Sequence, residues 1–252
     1  MDIVTLAVIA AAVLVGLYLL IFQILGLRVI NSNEVAVVEK WWSFKGSLKD
    51  SIIALNGEAG YEPELLRGGI HFKSVLMYKI HKYPLLTIPQ GQIAYVFARD
   101  GKPLEPMQTL GKVVLEGNNF QSVKGFLQNG GQRGPQRGIL REGTYAINLA
   151  QFILITKTDI KAINITKQDR NELLTMQQTL AMREGFSPVI IMGRENEASD
   201  EMCIVTVHDG APLEAGEIIA GDVGPEHSNF QDPEKFLELG GKRGKQLQVL
   251  TD

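Results

Sequence analysis

The chain has 252 residues, 45% of them apolar and 21% charged, with a formal charge of −3. That leaves room for one or two small packed domains and offers no basic field for nucleic acid; no RNP, Cys/His-finger or helix-turn-helix signature is present either, so nucleic-acid partners are excluded. Cys203 is the one cysteine and can close no intrachain disulfide, which is compatible with a reducing compartment.

No charged side chain lies between Asp2 and Arg28, and Ile3 to Leu27 is almost continuously apolar. As a helix rising about 1.5 Å per residue this run reaches roughly 37 Å, enough to cross a hydrocarbon layer about 30 Å thick with some tilt. A cleaved secretory signal fits less well: the leading residues carry an acid in place of Lys or Arg, and the apolar run is too long for a signal core. Residues 1–28 are therefore read as a single transmembrane anchor in the cell membrane. Arg28, Lys40, Lys45 and Lys49 follow the span and no Lys or Arg precedes it, which places the following part on the cytoplasmic side. Trp41 and Trp42 could mark the membrane interface, but a cross-strand packing role is expected for them.

Glu34 to Trp42 reads as a strand from its β-branched and aromatic content, and the stretch Glu62 to Phe72 closes a first β-rich module, residues 29–90, with a Gly-Gly turn. Tyr78 to Ile88 and Gln92 to Arg99 continue as strands, the second placing Ile93, Tyr95 and Phe97 on one face. Asp100-Gly101 then offers a tight hairpin turn, as Asp209-Gly210 does later.

From here the chain repeats itself. Phe120 to Gly134 returns as Phe230 to Gly244, Gln136 and Leu140 return as Gln246 and Leu250, and VFARDGKPL at 96–104 answers VTVHDGAPL at 205–213 after a slip of one residue. Residues 91–150 thus form one copy and 201–252 a second, which stops in mid-pattern, so the biological chain is expected to run on. Leu66-Arg-Gly-Gly-Ile-His-Phe loosely echoes Leu140-Arg-Glu-Gly-Thr-Tyr-Ala and suggests a third, diverged copy at the front. Each later copy carries one short helix: Ser122 or Asp232 as N-cap, Pro233 at the first helical position, Gly130 or Gly240 at the exit, and Phe126, Leu127, Phe236 and Leu237 on the buried side.

Residues 151–200 are read as an insertion between the copies. Phe152 to Thr156 and Ala162 to Thr166 look like strands. Asp169-x-x-Glu172 looks like a capping box opening a helix that carries Leu173, Met176 and Leu180, and Gly185 and Pro188 end it. Val189 to Met192 resumes a strand, and Gly193 to Glu201 is an acidic loop.

No catalytic set, cofactor site or metal site is expected. His71, His81, His208 and His227 lack zinc-ligand spacing and read as ordinary surface or satisfied core residues. There is no Gly-x-Ser-x-Gly elbow, and the acids at 195–201 lack the EF-hand pattern. The Gly-Gly-x-Arg-Gly loops at 130–134 and 240–244 could cradle a phosphate, which makes Arg133 and Arg243 candidates for lipid-headgroup contact. Neither loop has the Gly-Lys-Ser/Thr of a P-loop, and both follow a helix, where glycine serves to stop it.

The order of a membrane span, Val29 to Lys40, Leu66 to Phe72, Pro89 to Val96 and Gly143-Thr-Tyr-Ala-Ile-Asn148 resembles the start of SPFH (band 7, prohibitin-homology) proteins, especially bacterial flotillin-like members. The resemblance implies an α+β fold, a transmembrane helix followed by strand-rich SPFH-like tandem modules with short helices. It also implies a non-enzymatic scaffold that assembles into large homo-oligomers on a patch of bilayer and organises membrane microdomains. Implied partners are further copies of the chain, membrane lipids, and an NfeD-like membrane protein or a membrane protease. The long Ala/Glu-rich coiled coil that usually follows the domain is not in this sequence, and the tandem repeat makes the soluble part longer than a minimal SPFH domain. The alternative from the residues themselves is an anchored lipid- or ligand-binding module that works without large assembly.

Overall fold

A computed structural model describes residues 2–24, 26–191 and 202–251. Helix α1 (Ile3–Tyr18) carries on as a turn of π-helix over Leu19–Ile24. Ile3–Phe22 has a mean hydropathy of 2.8 and no part of it is buried against the rest of the chain. It is the one helix among the described residues long and apolar enough to cross a membrane. The guanidinium of Arg28 turns back and donates to the carbonyl of Phe22 at 3.3 Å, satisfying an acceptor that the end of a helix leaves free.

Behind the helix one strand pattern is laid down twice in full. The first module contains β1 (Leu27–Ile30), β2 (Glu34–Lys40), β3 (Gly60–Tyr61), β4 (Gly69–Phe72) and β5 (Tyr78–Pro84). The second contains β6 (Leu86–Ile88), β7 (Ala94–Ala98), β8 (Gly134–Leu140), β9 (Gly143–Tyr145) and β10 (Phe152–Ile155), with β11 (Ile160–Lys161) outside β10. In each module the second strand is central and antiparallel to the third and fifth, while the first pairs with the fourth. The registers coincide. Lys40 lies opposite Gly60 on one side and Tyr78 on the other, as Ala98 lies opposite Gly134 and Phe152. Ile30 opposite Gly69 is answered by Ile88 opposite Gly143.

Inside the second module the long β7–β8 connection carries α2 (Val123–Gln128). After β11 comes α3 (Lys167–Met182), then β12 (Met202–Val207), α4 (Pro233–Glu238) and β13 (Gly244–Thr251). The β12–β13 pair copies β7–β8 residue for residue. Cys203–Leu250, Ile204–Val249, Thr206–Lys245 and Val207–Gly244 repeat Ala94–Leu140, Tyr95–Ile139, Phe97–Pro135 and Ala98–Gly134, with the bulge between the same two pairs.

Alternation along β7 makes both of its faces structural. Ala94, Val96 and Ala98 enter a core with Phe126, Leu140, Phe152 and Leu154. Tyr95 and Phe97 point the other way, into a second cluster with Leu173 of α3 and Phe186. The short helices are built as the sequence leads one to expect. Ser122 Oγ accepts from Gly125 N at 3.1 Å and an oxygen of Asp232 accepts from Lys235 N at 3.0 Å. Gly130 and Gly240 leave them at φ 86° and 88°, a region that favours glycine. Phe126 and Phe236 are buried and lie over Gly131 and Gly241, where a methyl group would overlap the ring.

Several expectations are corrected. Asp100-Gly101 closes no hairpin, because the strand that pairs with β7 begins at Gly134. Phe152–Ile155 is not part of an insertion between copies; all four residues are buried and it is the third strand of the second module's sheet. Its neighbour is Ile160–Lys161, ahead of the expected Ala162–Thr166. Helix α3 opens three residues earlier than Asp169, with Thr166 Oγ1 as the acceptor for Asp169 N at 3.1 Å, and Met176 faces solvent while Leu173 is buried. Residues 189–191 form no strand, and Met192 with the loop Gly193 to Glu201 lies outside the described residues. Trp41 and Trp42 follow the end of β2 and are exposed, with Trp42 edge-on to Phe44, so neither packs across the sheet.

Candidate functional site

The modules are joined by a carboxylate. Asp100, just after β7, accepts from Ser51 Oγ and from Ile52 N at 3.1 Å and Ile53 N at 3.3 Å, all in the module before it. Asp209, just after β12, does the same one module later: it accepts from Thr109 Oγ1 at 2.8 Å and Thr109 N at 3.2 Å. Asp209 also takes a fork of two bonds from Arg137, at 3.1 and 2.6 Å, while the third arm of that guanidinium meets Glu234 of α4 at 2.5 Å. Glu234 in turn accepts from Val113 N at 2.8 Å. Burial alone would raise the Asp209 carboxyl, but the hydrogen bonds from Arg137 and Thr109 outweigh it and hold the group below its ordinary value.

These joints use residues that a search for chemistry passes over. Their signal was the aspartate of each Asp-Gly pair, whose side chain is needed one module back. The β12–β13 copy differs in character at the positions that make this clasp. The β-bridges Lys102–Gln132 and Gly111–Gln136 are answered by Ala211–Lys242 and Ala220–Gln246, so Thr109 corresponds to Ile218 and Arg137 to Leu247. Both are apolar and open to solvent, at 84% and 63% exposure.

No family model, curated protein or solved structure matches the chain.

Among the described residues no three His, Cys, Asp or Glu side chains converge as a metal set would. His81 pairs with Glu39 at 2.7 Å, and the ring of His71 meets the Arg67 carbonyl at 2.7 Å. His227 is fully buried: its Nδ1 accepts from Phe230 N at 2.8 Å, which leaves Nε2 to donate to Gln248 at 3.0 Å. An apolar cleft of about 210 Å³ lies between Tyr83, Leu86, Ile147, Leu149 and Ile160. It is below the roughly 300 Å³ at which small-molecule sites begin, and its one hydroxyl, on Tyr83, already donates to Ile147 O at 2.7 Å.

Arg133 and Arg243 occupy matching exposed positions. The backbone donors beside them are committed: Gly131 N bonds Phe126 O, Gly241 N bonds Phe236 O, and Arg133 N and Arg243 N bond the carbonyls of Lys102 and Ala211, all within 2.8–2.9 Å. The loops stop helices and present two guanidinium groups; these amides are not arranged as an anion cradle.

A different surface follows the anchor directly in the chain. In the β1–β4 ribbon, Leu27 lies opposite Phe72 and Val29 opposite Ile70, so these four share one face, and Val29, Ile70 and Phe72 are exposed. Val29 follows Ile24 by five residues and can be no more than about 17 Å from the end of the apolar helix. In the second module the positions of Val29 and Ile70 are held by Thr87 and Thr144, whose hydroxyls lie 3.4 Å apart. The same ribbon is thus apolar beside the helix and polar one module away. Leu76, Trp42 and Phe44 add exposed apolar groups to this first module.

Proposed function

We propose that the chain is a membrane-anchored scaffold subunit of the SPFH, flotillin-like kind. Its helix crosses the cell membrane, its stacked modules stand on the cytoplasmic face, and neighbouring copies associate laterally to gather lipids and other membrane proteins. The observation that carries this reading is the apolar helix leading without a spacer into a stapled stack whose nearest ribbon has Val29 and Ile70 where the next module's ribbon has Thr87 and Thr144. A span and a contacting face hold each subunit in one orientation, so weak contacts between copies add through tethering. An NfeD-like membrane protein or a membrane protease belongs to this reading as the kind of neighbour served.

The test is made on the full chain in native membranes. Resistance to carbonate extraction, together with a ladder of crosslinked species and a large particle in mild detergent, is the expected result; a stable detergent-solubilised monomer overturns the assembly. Val29→Thr/Ile70→Thr is expected to leave the protein anchored yet raise protease access to the first module, as a ribbon lifted off lipid would. Arg133→Ala/Arg243→Ala separates the alternative, an anchored lipid-binding module. Loss of crosslinking only in the ribbon variant supports the scaffold, whereas loss of anionic-lipid binding in the arginine variant, with assembly absent from the outset, supports the module.

A further inference from the structure

Two places beyond β7 stands Asp100, and two places beyond β12 stands Asp209; each commits its side chain to the module before its own, at Ser51 and Thr109. Register identifies the equivalent position in the first module. Lys40, Ala98 and Val207 lie opposite Gly60, Gly134 and Gly244. One residue further on, Trp41 N bonds Met77 O at 2.9 Å as Arg99 N bonds Gln151 O at 2.8 Å. Trp42 therefore stands where the two aspartates stand. What comes before its module in the chain is the apolar helix.

The first module holds this position close to the end of that helix. Lys73 N bonds Gly26 O at 3.0 Å, in a contact that glycine alone allows, because a methyl group on Gly26 would overlap the Lys73 carbonyl. From Lys73 the loop runs to Met77, whose carbonyl holds Trp41, so the helix end and Trp41 are separated by at most about 14 Å of chain and two hydrogen bonds. As a helix, Ile3–Phe22 is about 30 Å long, the thickness of the hydrocarbon layer, so a span of that length leaves Gly26 at headgroup level. Around it the aromatic groups are outward. Trp42 is 51% exposed and meets Phe44 edge-on, with ring centroids 4.3 Å apart; Phe44 is 92% exposed, and Leu76, next to the Met77 carbonyl, is 74% exposed. Such a cluster costs free energy in water that an adjoining apolar layer would recover. An indole, with an apolar body and one N–H, suits the boundary between headgroups and acyl chains better than it suits water or hydrocarbon.

We infer that Trp42, with Phe44 and Leu76, seats in the headgroup–acyl boundary of the bilayer crossed by α1, and so does for the first module what a carboxylate does for the two after it. A lipid surface takes the place of the preceding module, and an aromatic pair takes the place of the aspartate. The inference rests on the reading of α1 as a span. It does not rest on lateral assembly, so an anchored monomer would leave it standing.

Trp41 and Trp42 are the chain's two tryptophans, so its intrinsic tryptophan emission reports on this turn alone. The full chain is reconstituted in phosphatidylcholine vesicles carrying bromine either high on the acyl chains, near the glycerol, or at the chain ends. In Trp41→Phe, where Trp42 is the sole tryptophan, the shallow label is expected to quench at least about twofold more than the deep one, and aqueous iodide at least about threefold less than it quenches free tryptophan. Trp42→Asp, which installs the residue of the later modules, should stay in the membrane through carbonate extraction yet exchange amide hydrogens over 41–46 at least about threefold faster; Trp42→Phe should stay within about twofold of wild type. Full quenching by iodide, a deep label as effective as the shallow one, or unchanged exchange in Trp42→Asp overturns the inference while the anchor stands. Extraction of the wild-type chain by carbonate overturns the span itself, which keeps the two failures apart. Emission that follows the protein-to-lipid ratio and not the bromine position would assign the aromatic pair to a second copy of the chain and overturn the inference as well.

Discussion

Strands β7 and β12 have equivalent partners, the same register and the same bulge, yet among the described residues β7 is covered on both faces and both edges while β12 is paired on one edge. Register is usually pinned by which face must be buried. The two pairs share their local devices as well, the capped helix and the Gly-Gly stop after an Asp-Gly exit, and these favour the same register in both.

The comparison can be broken most severely at the phenylalanine under each Gly-Gly stop. Phe126→Ala is expected to cost about 3–5 kcal/mol, the usual range for emptying an aromatic site in a closed core. Phe236→Ala should cost less, because the β12 side of its core is already half-open, and its effect should stay local. Hydrogen exchange on the full chain checks this: Phe236→Ala should release 202–251 while β7 keeps its protection, and equal release of both would show that the two modules unfold as one.

Next in size is the joint between the two modules. Asp209→Asn should cost about 2–4 kcal/mol by leaving the Arg137 fork against a neutral partner in a buried place, with Glu234 limiting the loss. The sign with pH follows from the depressed carboxyl. Its contribution is fully present above the unfolded value of about 4 and is lost as pH falls through the lower folded value, so wild type and Asp209→Asn should converge in acid-unfolding curves and separate above that range. A pH-independent gap would place the cost in packing and not in charge.

Smaller effects sharpen the parallel. Thr109→Ala and Ser51→Ala each remove one hydroxyl donor from a joint aspartate and should cost about 1 kcal/mol or somewhat more. Ser122→Ala and Asp232→Ala should cost about 1 kcal/mol each through the lost cap. Thermal midpoints of the four variants would test whether the copies are energetically as well as geometrically alike.

Much of this was legible in the residues. The recurrence of Phe120 to Gly134, the one-residue slip before it, the caps at Ser122 and Asp232 and the faces of Tyr95 and Phe97 all follow from spacing and local chemistry, and the slip is reproduced in the β-bridges. The errors came where a long-range partner decided the outcome. Phe152–Ile155 is an apolar run with no alternation, so nothing local ties it to β7, more than fifty residues earlier. Asp100-Gly101 has the composition of a hairpin turn, but the Asp100 side chain is engaged with Ser51 and the chain leaves on a long excursion. The candidates Arg133 and Arg243 were found by their glycines, whose main purpose is to fit beneath Phe126 and Phe236. The contrast between Val29/Ile70 and Thr87/Thr144 was hidden because the front module diverges in sequence while keeping its register.

The replacement of Thr109 and Arg137 by Ile218 and Leu247 has a consequence for growth of the stack. A following module would meet no hydroxyl and no guanidinium at these two positions, so its contact there would be made by apolar side chains and not by a carboxylate clasp of the kind at Ser51 and Thr109.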